Sequence, residues 1–257
     1  MKFIDSHTHL DFNAFNSDRG HIIDNAVRTG ITQIIISATT ANHWQEIQRI
    51  IDKYQPYTYS AYGLHPMFMT EHKANHLNNL VNYLQKDNVV AVGEIGLDYF
   101  IPNPNKQAQL DLFIAQLKIA SDFKLPVIIH ARKSLDIILK YLRRFPNISG
   151  SIHSFSGSEQ QAQQLIDLGF YLGFGGPITY TRATKLQKLV KTLPLDSILL
   201  ETDSPDQPDA SHYGKRNEPA FLPKVAKTIA ELRGITIEDV AKVTSENAQN
   251  LFGFDKT

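Results

Sequence analysis

The feature that most constrains the fold of this chain is a regular alternation of short apolar runs with longer amphipathic segments. The apolar runs are rich in Ile and Val, as in Ile31–Ser37, and are typical of strands that are buried on both faces. The amphipathic segments carry apolar residues at helical spacing, most clearly over Lys106–Phe123. Strands and helices that alternate in this way predict a parallel sheet covered by helices.

Eight strand–helix units follow one another and predict an α/β fold, a (β/α)8 TIM barrel. The predicted strands are Lys2–Ser6, Ile31–Ser37, Thr58–Leu64, Val89–Gly93, Pro126–Ile129, Gly150–Ile152, Phe170–Phe174 and Ser197–Leu200. The predicted helices are Asp18–Thr29, Ala41–Lys53, Lys73–Gln85, Lys106–Phe123, Leu135–Phe145, Glu159–Leu168, Ala183–Leu193, Glu218–Leu232 and Ile237–Leu251. We expect a single domain over residues 1–257, in which the last helix is an extra C-terminal one. The long segment Asp206–Asn217 is expected to wall the active site.

Polar side chains that can bind metal stand where the predicted strands end. They are His7, His9, Glu94, His130, His153 and Asp203. In a TIM barrel the carboxyl ends of the strands meet at one face, and active sites lie there. Four imidazoles and two carboxylates exceed what one ion with open positions needs, so the set is sized for two divalent ions that share a carboxylate.

Strand alternation supports a common direction for these side chains. His7 and His9 fall on one face of the first strand, and Val90, Val92 and Glu94 are expected to share one face of the fourth. Any one of the six residues alone is more often a satisfied core or loop residue than a ligand. Six such groups buried together without metal would carry large desolvation costs, which favours the metal interpretation.

Composition restricts the metals and the partners. The chain has no cysteine, so thiolate ligands and disulfides are excluded, and the expected ions are Mg²⁺, Mn²⁺, Zn²⁺ or Ni²⁺. The formal net charge is zero, so any affinity for nucleic acid must come from a local patch. The sequence shows no secretory signal and no apolar run of membrane-spanning length. We therefore expect a cytoplasmic protein without membrane contact, and no stable protein partner is predicted.

The remaining histidines divide into two groups. His65 ends the third predicted strand, and this position is equally compatible with a substrate contact and with a structural role. The others lie in predicted helices or loops and are expected to be solvated: His21, His43, His72, His76 and His212.

A series of short motifs, in order along essentially the whole chain, resembles the TatD-type metal-dependent hydrolases, whose members are described as deoxyribonucleases. The motifs are Asp5-Ser6-His7-Thr8-His9, Gly63-Leu64-His65-Pro66, Gly93-Glu94-Ile95-Gly96-Leu97-Asp98-Tyr99, Leu125-Pro126-Val127-Ile128-Ile129-His130-Ala131-Arg132, His153-Ser154-Phe155-Ser156-Gly157, Glu201-Thr202-Asp203-Ser204-Pro205, Asn217-Glu218-Pro219, Glu246-Asn247-Ala248 and Leu251-Phe252-Gly253.

The resemblance implies that one ion is held by His7, His9, Glu94 and Asp203, and the other by Glu94, His130 and His153. One departure concerns the segment after Ser204-Pro205. The better-known nuclease members continue there with an aromatic residue and a Leu-Ala-Pro-like run, whereas this chain reads Asp206-Gln207-Pro208-Asp209. This is similar to the YjjV-like branch and leaves the substrate open.

The leading functional hypothesis is a deoxyribonuclease that cleaves phosphodiester bonds of single-stranded DNA from an end by metal-activated water. Two divalent ions, two carboxylates and a bridging hydroxide leave the site with a charge of about +1, which suits a phosphodiester. Asp203 and Glu94 are the expected catalytic residues, with Asp203 as the proton acceptor. The expected substrate contacts are His65, Arg132, Tyr99 and Lys215.

Two alternatives stay open at this point. A metal-dependent ester hydrolase, such as a D-aminoacyl-tRNA deacylase, would use the same site on a different bond. A non-catalytic nucleic-acid-binding barrel would hold its metal only incidentally. Basic residues that can contact neighbouring phosphates are expected on the same face: Arg132, Lys133, Arg182, Lys185, Lys215 and Arg216. Those side chains are equally compatible with plain solvation, and Tyr99, Phe100 and Phe155 either stack on bases or pack the loops.

Overall fold

The computed structural model describes residues 1–254 and contains eight parallel strands in sequential order. The strands are β1 Phe3–Thr8, β2 Ile31–Ser37, β3 Thr58–Tyr62, β4 Val89–Asp98, β5 Val127–Arg132, β6 Gly150–Ile152, β7 Phe170–Phe174 and β8 Ile198–Leu200. The helices are α1 Arg19–Arg28, α2 Trp44–Lys53, α3 His76–Tyr83, α4 Lys106–Phe123, α5 Leu135–Leu142, α6 Glu159–Asp167, α7 Thr184–Thr192, α8 Leu222–Arg233 and α9 Ile237–Phe252. Each strand up to β7 is followed by a helix that leads to the next, which confirms the predicted TIM barrel.

Three strands run further than predicted, into the polar residues at the barrel mouth. β4 reaches Asp98, β1 reaches Thr8 and β5 reaches Arg132. The backbone ladder continues there because Gly96 pairs with His130 and Asp98 pairs with Arg132. Polar side chains do not interrupt the backbone hydrogen bonds of a strand. A strand can therefore continue beyond its apolar run, and a prediction based on that run alone gives too short a strand.

The barrel is nearly closed where β8 meets β1. The described residues show a single isolated bridge at this seam, between Thr8 and Ser204. Side chains complete the closure: the Asp5 carboxylate accepts hydrogen bonds from the Thr202 amide at 2.9 Å and from its hydroxyl at 2.6 Å. The Ser6 hydroxyl donates to the Leu200 carbonyl at 2.9 Å. These contacts join the two ends of the sheet where the backbone ladder stops.

Two apolar layers hold the barrel together. The outer layer packs the helices against the outward side chains of the strands, including Ile34, Val92 and Ile129. The inner layer fills the barrel below the mouth and is closed at the floor by the end of α9. Its buried members are Ile4, Ile35, Tyr59, Ala61, Val90, Ala91, Ile128, Leu199, Ala248, Leu251, Phe252 and Phe254. The predicted C-terminal helix therefore supplies the floor of the barrel.

The ends of α9 are set by local chemistry. Thr236 and Asp239 form a reciprocal capping box at its start, and Gly253 ends it in a left-handed conformation with φ 60°. The single-domain prediction extends to residue 257, and its last three residues lie outside the described chain. Within residues 1–254, no helix is both long and apolar enough to cross a membrane.

The prediction of solvated histidines is confirmed for His21 and wrong for His76. His76 is only 8% exposed, because α3 begins at this residue and its ring lies 6.5 Å from that of Trp44. The remaining members of that group, His43, His72 and His212, are partly buried. His43 contacts the buried Asp11 at 2.6 Å, an ion pair between residues far apart in sequence.

Candidate metal centre and active site

The six candidate ligands converge at the barrel mouth around the carboxylate of Glu94. Its Oε2 atom lies 3.2 Å from His7 Nε2 and 3.4 Å from His9 Nε2. Its Oε1 atom lies 3.0 Å from His130 Nδ1 and 3.0 Å from His153 Nε2. One carboxylate therefore presents one oxygen to each of two groups of imidazoles.

Asp203 joins the first of these groups from the loop after β8. Its Oδ1 atom lies 3.4 Å from His7 Nε2 and 3.5 Å from His9 Nε2. Its Oδ2 atom accepts a hydrogen bond from the Gln207 amide. The residue has φ 58°, a left-handed conformation that is uncommon for a side chain other than glycine. The loop thus holds the carboxylate over the mouth, beyond the end of the strand.

His65 is a further imidazole at the site and is fixed as a hydrogen-bond donor. Its Nδ1 accepts from the Met67 amide at 3.1 Å, so its Nε2 carries the proton and donates to Glu94 Oε1 at 3.0 Å. Burial lowers the pKa of His65 to about 4 against the opposing effect of Glu94, so the ring is neutral. The structure therefore places His65 at the site, as one of the two predicted alternatives requires.

The chemistry of the donor set fits divalent metal ions. The His9 Nδ1–H group donates to the Ser37 carbonyl at 2.8 Å, and the His130 Nε2–H group donates to Asp98 at 3.0 Å. His7 Nδ1 contacts the Ser37 hydroxyl at 3.0 Å. Because the far nitrogen of each of these three rings is engaged, the near nitrogen is free to face a metal, as in natural metal sites. Among residues 1–254, three groups of three residues hold their ligand atoms within 4.8 Å of one another: His7, His153 and Asp203; His7, His9 and Glu94; His65, Glu94 and His130.

The two buried carboxylates of the cluster, Glu94 and Asp203, are stable in ionised form only beside positive charge. Burial opposes ionisation of Glu94, yet His65, His153 and His7 hold the pKa of its carboxyl well below its usual range. Burial likewise opposes ionisation of Asp203, and hydrogen bonds from His7 and His9 lower the pKa of that carboxyl. The imidazoles act as donors and cations only when they carry protons on the nitrogens that face the carboxylates, and bound metal ions would take the place of those protons.

Asp98 is a functional residue that the sequence reasoning missed. Its fully buried carboxylate accepts from His130 Nε2 at 3.0 Å and lies 3.5 Å from Arg132 Nη1. The same group accepts the backbone amides of Phe100 at 2.9 Å and Ile101 at 3.2 Å. Asp98 therefore orients a candidate ligand and fixes the following turn. Its place in the Gly93–Tyr99 motif was visible in the sequence, but its bond to a residue 32 positions away was not.

Two buried glutamines of α4 clamp the ends of the neighbouring strands and were also missed. Gln109 exchanges two hydrogen bonds with the backbone of Asp98, at 2.9 and 3.0 Å. Gln116 does the same with the backbone of Leu64, at 2.7 and 3.1 Å. The two residues are two helical turns apart and share one face. The only sequence signal was this spacing of polar residues beside an apolar stripe.

A cavity of about 570 Å³ opens onto candidate metal-binding side chains. Its floor includes His9, His65, Glu94, His130, His153 and Asp203. Its walls are mainly apolar, and they include Phe12, Met67, Phe68, Phe155, Pro177, Ile178 and Leu186. Of the segment Asp206–Asn217, Asp206 and Gln207 line the cavity.

The four predicted substrate contacts lie in different places. His65 and Arg132 line the cavity. Tyr99 and Lys215 do not: the Tyr99 ring packs on the hydrophobic core with Lys106 Nζ 5.1 Å from its centroid, and Lys215 is exposed. A substrate contact by either of these two residues stays a prediction.

Comparison with known proteins agrees with this geometry. A family model described as TatD related DNase matches residues 4–253. The Escherichia coli protein described as "Uncharacterized metal-dependent hydrolase YjjV" is 39% identical over 98% of both chains. Its crystal structure superposes with a TM-score of 0.93 at 38% identity and 98% coverage of each chain. A Pantoea ananatis relative named "3'-5' ssDNA/RNA exonuclease TatD" is 32% identical over 93% of this chain and 95% of its own.

Proposed function

The chain belongs to the TatD-related DNase family of metal-dependent hydrolases, and we propose that it hydrolyses phosphodiester bonds of single-stranded DNA from an end. The observation that carries this proposal is the division of the Glu94 carboxylate between two groups of imidazoles. Such a bridging carboxylate suits two divalent ions side by side, an arrangement common among enzymes that cleave phosphate esters. The Pantoea relative that is named an exonuclease supports the choice of nucleic acid.

We assign the ligands in two sets that share Glu94. The first comprises His7, His9, Glu94 and Asp203, and the second comprises Glu94, His130 and His153. Nitrogen and oxygen donors without sulfur fit Mg²⁺, Mn²⁺, Zn²⁺ or Ni²⁺. When bound, the ions lower the pKa of water and offset the negative charge of the phosphate.

The protein's own groups supply binding and proton transfer. Asp203 lines the cavity beside His7 and His9, and we assign its carboxylate as the acceptor of the proton that the attacking water loses. Gln207 holds the other oxygen of that carboxylate. His65 Nε2–H orients Glu94 through its hydrogen bond, and its ring lines the cavity where it contacts the substrate.

The depth of the site favours a single strand over a duplex. The six candidate ligands are at most 8% exposed, and all of them except His7 line the bottom of a walled cavity. A flexible strand end can enter such a cavity, whereas a paired duplex is too wide and too stiff to bring its backbone to the floor.

Cytoplasmic location and the lack of a stable protein partner stay predictions.

The test is a substrate and metal panel. Protein loaded with Mg²⁺, Mn²⁺, Zn²⁺ or Ni²⁺ is given end-labelled single-stranded DNA, duplex DNA, RNA and D-aminoacyl-tRNA. We expect single-stranded DNA to be shortened from an end, with loss of activity on chelation. Asp203→Asn keeps the shape of the side chain but cannot accept a proton, so kcat falls about 10²-fold or more.

Three outcomes would contradict the proposal. Full activity after exhaustive chelation, with negligible metal content verified, would refute the metal site. Deacylation that far outpaces DNA cleavage would replace the nuclease with an ester hydrolase that uses the same residues. Absence of turnover on every substrate class would favour the non-catalytic binding barrel.

A further inference from the structure

An exposed aromatic ring with two cations lies at the rim of the cavity. Phe100 follows β4 and is 54% exposed, which is unusual for a large apolar side chain. The Arg132 guanidinium lies 4.4 Å from the centroid of its ring, and Lys133 Nζ lies 4.6 Å from the same point. We call these three residues the rim cluster.

The rim cluster is built onto the site through Asp98. This buried carboxylate accepts the backbone amide of Phe100 at 2.9 Å and lies 3.5 Å from Arg132 Nη1. It also accepts from His130 Nε2 at 3.0 Å. One group therefore fixes the aromatic turn, the guanidinium and a candidate metal ligand relative to one another.

The backbone at the end of β5 is shaped to hold the second cation at the rim. Lys133 has φ 53°, a left-handed conformation that few residues other than glycine adopt. Arg132, directly before it, lines the cavity, whereas Phe100 does not. Arg132 thus lies between the cavity and the Phe100 ring, so the rim cluster directly adjoins the cavity on its outer side.

We propose that the rim cluster is a nucleotide-binding subsite that takes the nucleotide next to the one in the cavity. Its base stacks on Phe100 and the Arg132 plane, while Arg132 and Lys133 contact its phosphates. Aromatic rings and guanidinium planes stack on unpaired bases of any sequence, and basic side chains follow the backbone. A free phosphate is the alternative ligand. It would bind Arg132 and Lys133 but would make no use of the exposed ring of Phe100, so a nucleotide fits the cluster better. This assignment rests on the proposed function.

The experiment measures binding in the absence of metal and activity. Fluorescence anisotropy reports binding of a labelled single-stranded hexanucleotide to the chelated full-length protein. A second ligand of equal length and charge carries abasic sites in place of the bases. Parent protein, Phe100→Ala, Phe100→Trp and Tyr57→Ala are compared. Tyr57 is the matched control because it is 37% exposed and directly precedes β3, at the opposite end of the barrel.

We expect Phe100→Ala to weaken binding of the hexanucleotide about tenfold, the order of one lost base stack, and Phe100→Trp to restore it. The parent should prefer the hexanucleotide over the abasic ligand, and Phe100→Ala should lose this preference. Lys133→Ala should reduce the slope of log Kd against log salt by about one. Tyr57→Ala should bind as the parent does.

Equal binding by Phe100→Ala and the parent would overturn the subsite, and so would equal affinity of the parent for the two ligands. Failure to detect binding by the parent would overturn it as well. The proposed function is tested separately, by turnover of the small diester bis(p-nitrophenyl) phosphate by the metal-loaded parent. The binding experiment can therefore fail while the proposed function stands, and the turnover experiment can fail while the subsite stands.

Discussion

The mouth and the floor of the barrel bury opposite kinds of side chain along the same eight strands. At the floor, Ile4, Ile128 and Leu199 belong to the same buried apolar cluster as Phe252 at the end of α9. Burial of such apolar surface stabilises the fold by about 25 cal/mol per Å². At the mouth the strands end in imidazoles and carboxylates whose burial costs free energy unless it is offset by charge. Stability and chemistry are thus separated along the barrel axis.

Buried carboxyl groups show the same contrast. Burial penalises the charged form of both groups, and it raises the pKa of Asp5 to about 7 and that of Glu201 to about 8. Glu94 and Asp203 are buried too, but the imidazoles around them keep their pKa values below the usual range. What decides the charge of a carboxyl group here is the set of partners around it, because all four are buried.

The largest expected effect lies at the mouth. Glu94→Gln retains the volume of the side chain but removes the charge shared by the two imidazole groups. Mutation of outer partners in metal sites costs about 10- to 100-fold in affinity or activity, so loss of a shared ligand should exceed about 10²-fold in kcat. Steady-state kinetics and metal analysis of the purified variant check this. A variant that keeps both metal content and kcat would remove Glu94 from the site.

A substitution at the floor should lower the stability of the protein and leave its kcat unchanged. Phe252→Ala removes a buried ring between α9 and the inner layer, and it should lower the free energy of unfolding by about 3–5 kcal/mol. Because the mouth does not depend on that ring, kcat per folded molecule should stay at the parental value at temperatures well below unfolding. Urea denaturation and activity on the same samples separate the two quantities. A large fall in kcat with little loss of stability would break the distinction between mouth and floor.

The smallest effect concerns Glu201, which lies between the two regions. Its folded-state pKa is raised, so the stability that its neutral form contributes is fully present below about pH 4.5 and is lost as the pH rises through about 8. Glu201→Gln lacks this titration and should gain thermal stability relative to the parent between pH 5 and 8, by roughly a few degrees. Melting temperatures of the chelated proteins across this range provide the measurement. A difference that is independent of pH would show that Glu201 is ionised in the fold.

The expected alternation of side chains along β4 is one sequence argument that the structure corrects. Alternation was expected to place Val90, Val92 and Glu94 on one face, but Val90 packs in the inner layer and Val92 in the outer layer. The pairing of β4 is irregular with both neighbours, with shifts between Ser60 and Ala61 of β3 and between Val92 and Ile95 of β4 itself. The break in alternation at Val92 coincides with that irregular register, which simple alternation does not predict.

The sequence by itself determined the barrel, the family and the residue types of the metal site. Apolar periodicity is a local property, and His7, His9, Glu94, His130, His153 and Asp203 stand next to the apolar runs that reveal the strands. Only the tertiary structure decided which partners orient these ligands and which hold the strand ends beside them. Ser37, Asp98, Gln109 and Gln116 act through hydrogen bonds to residues between 11 and 52 positions away. Such contacts depend on strand register and helix packing, which arise from the whole chain and leave no periodic signal in any one segment.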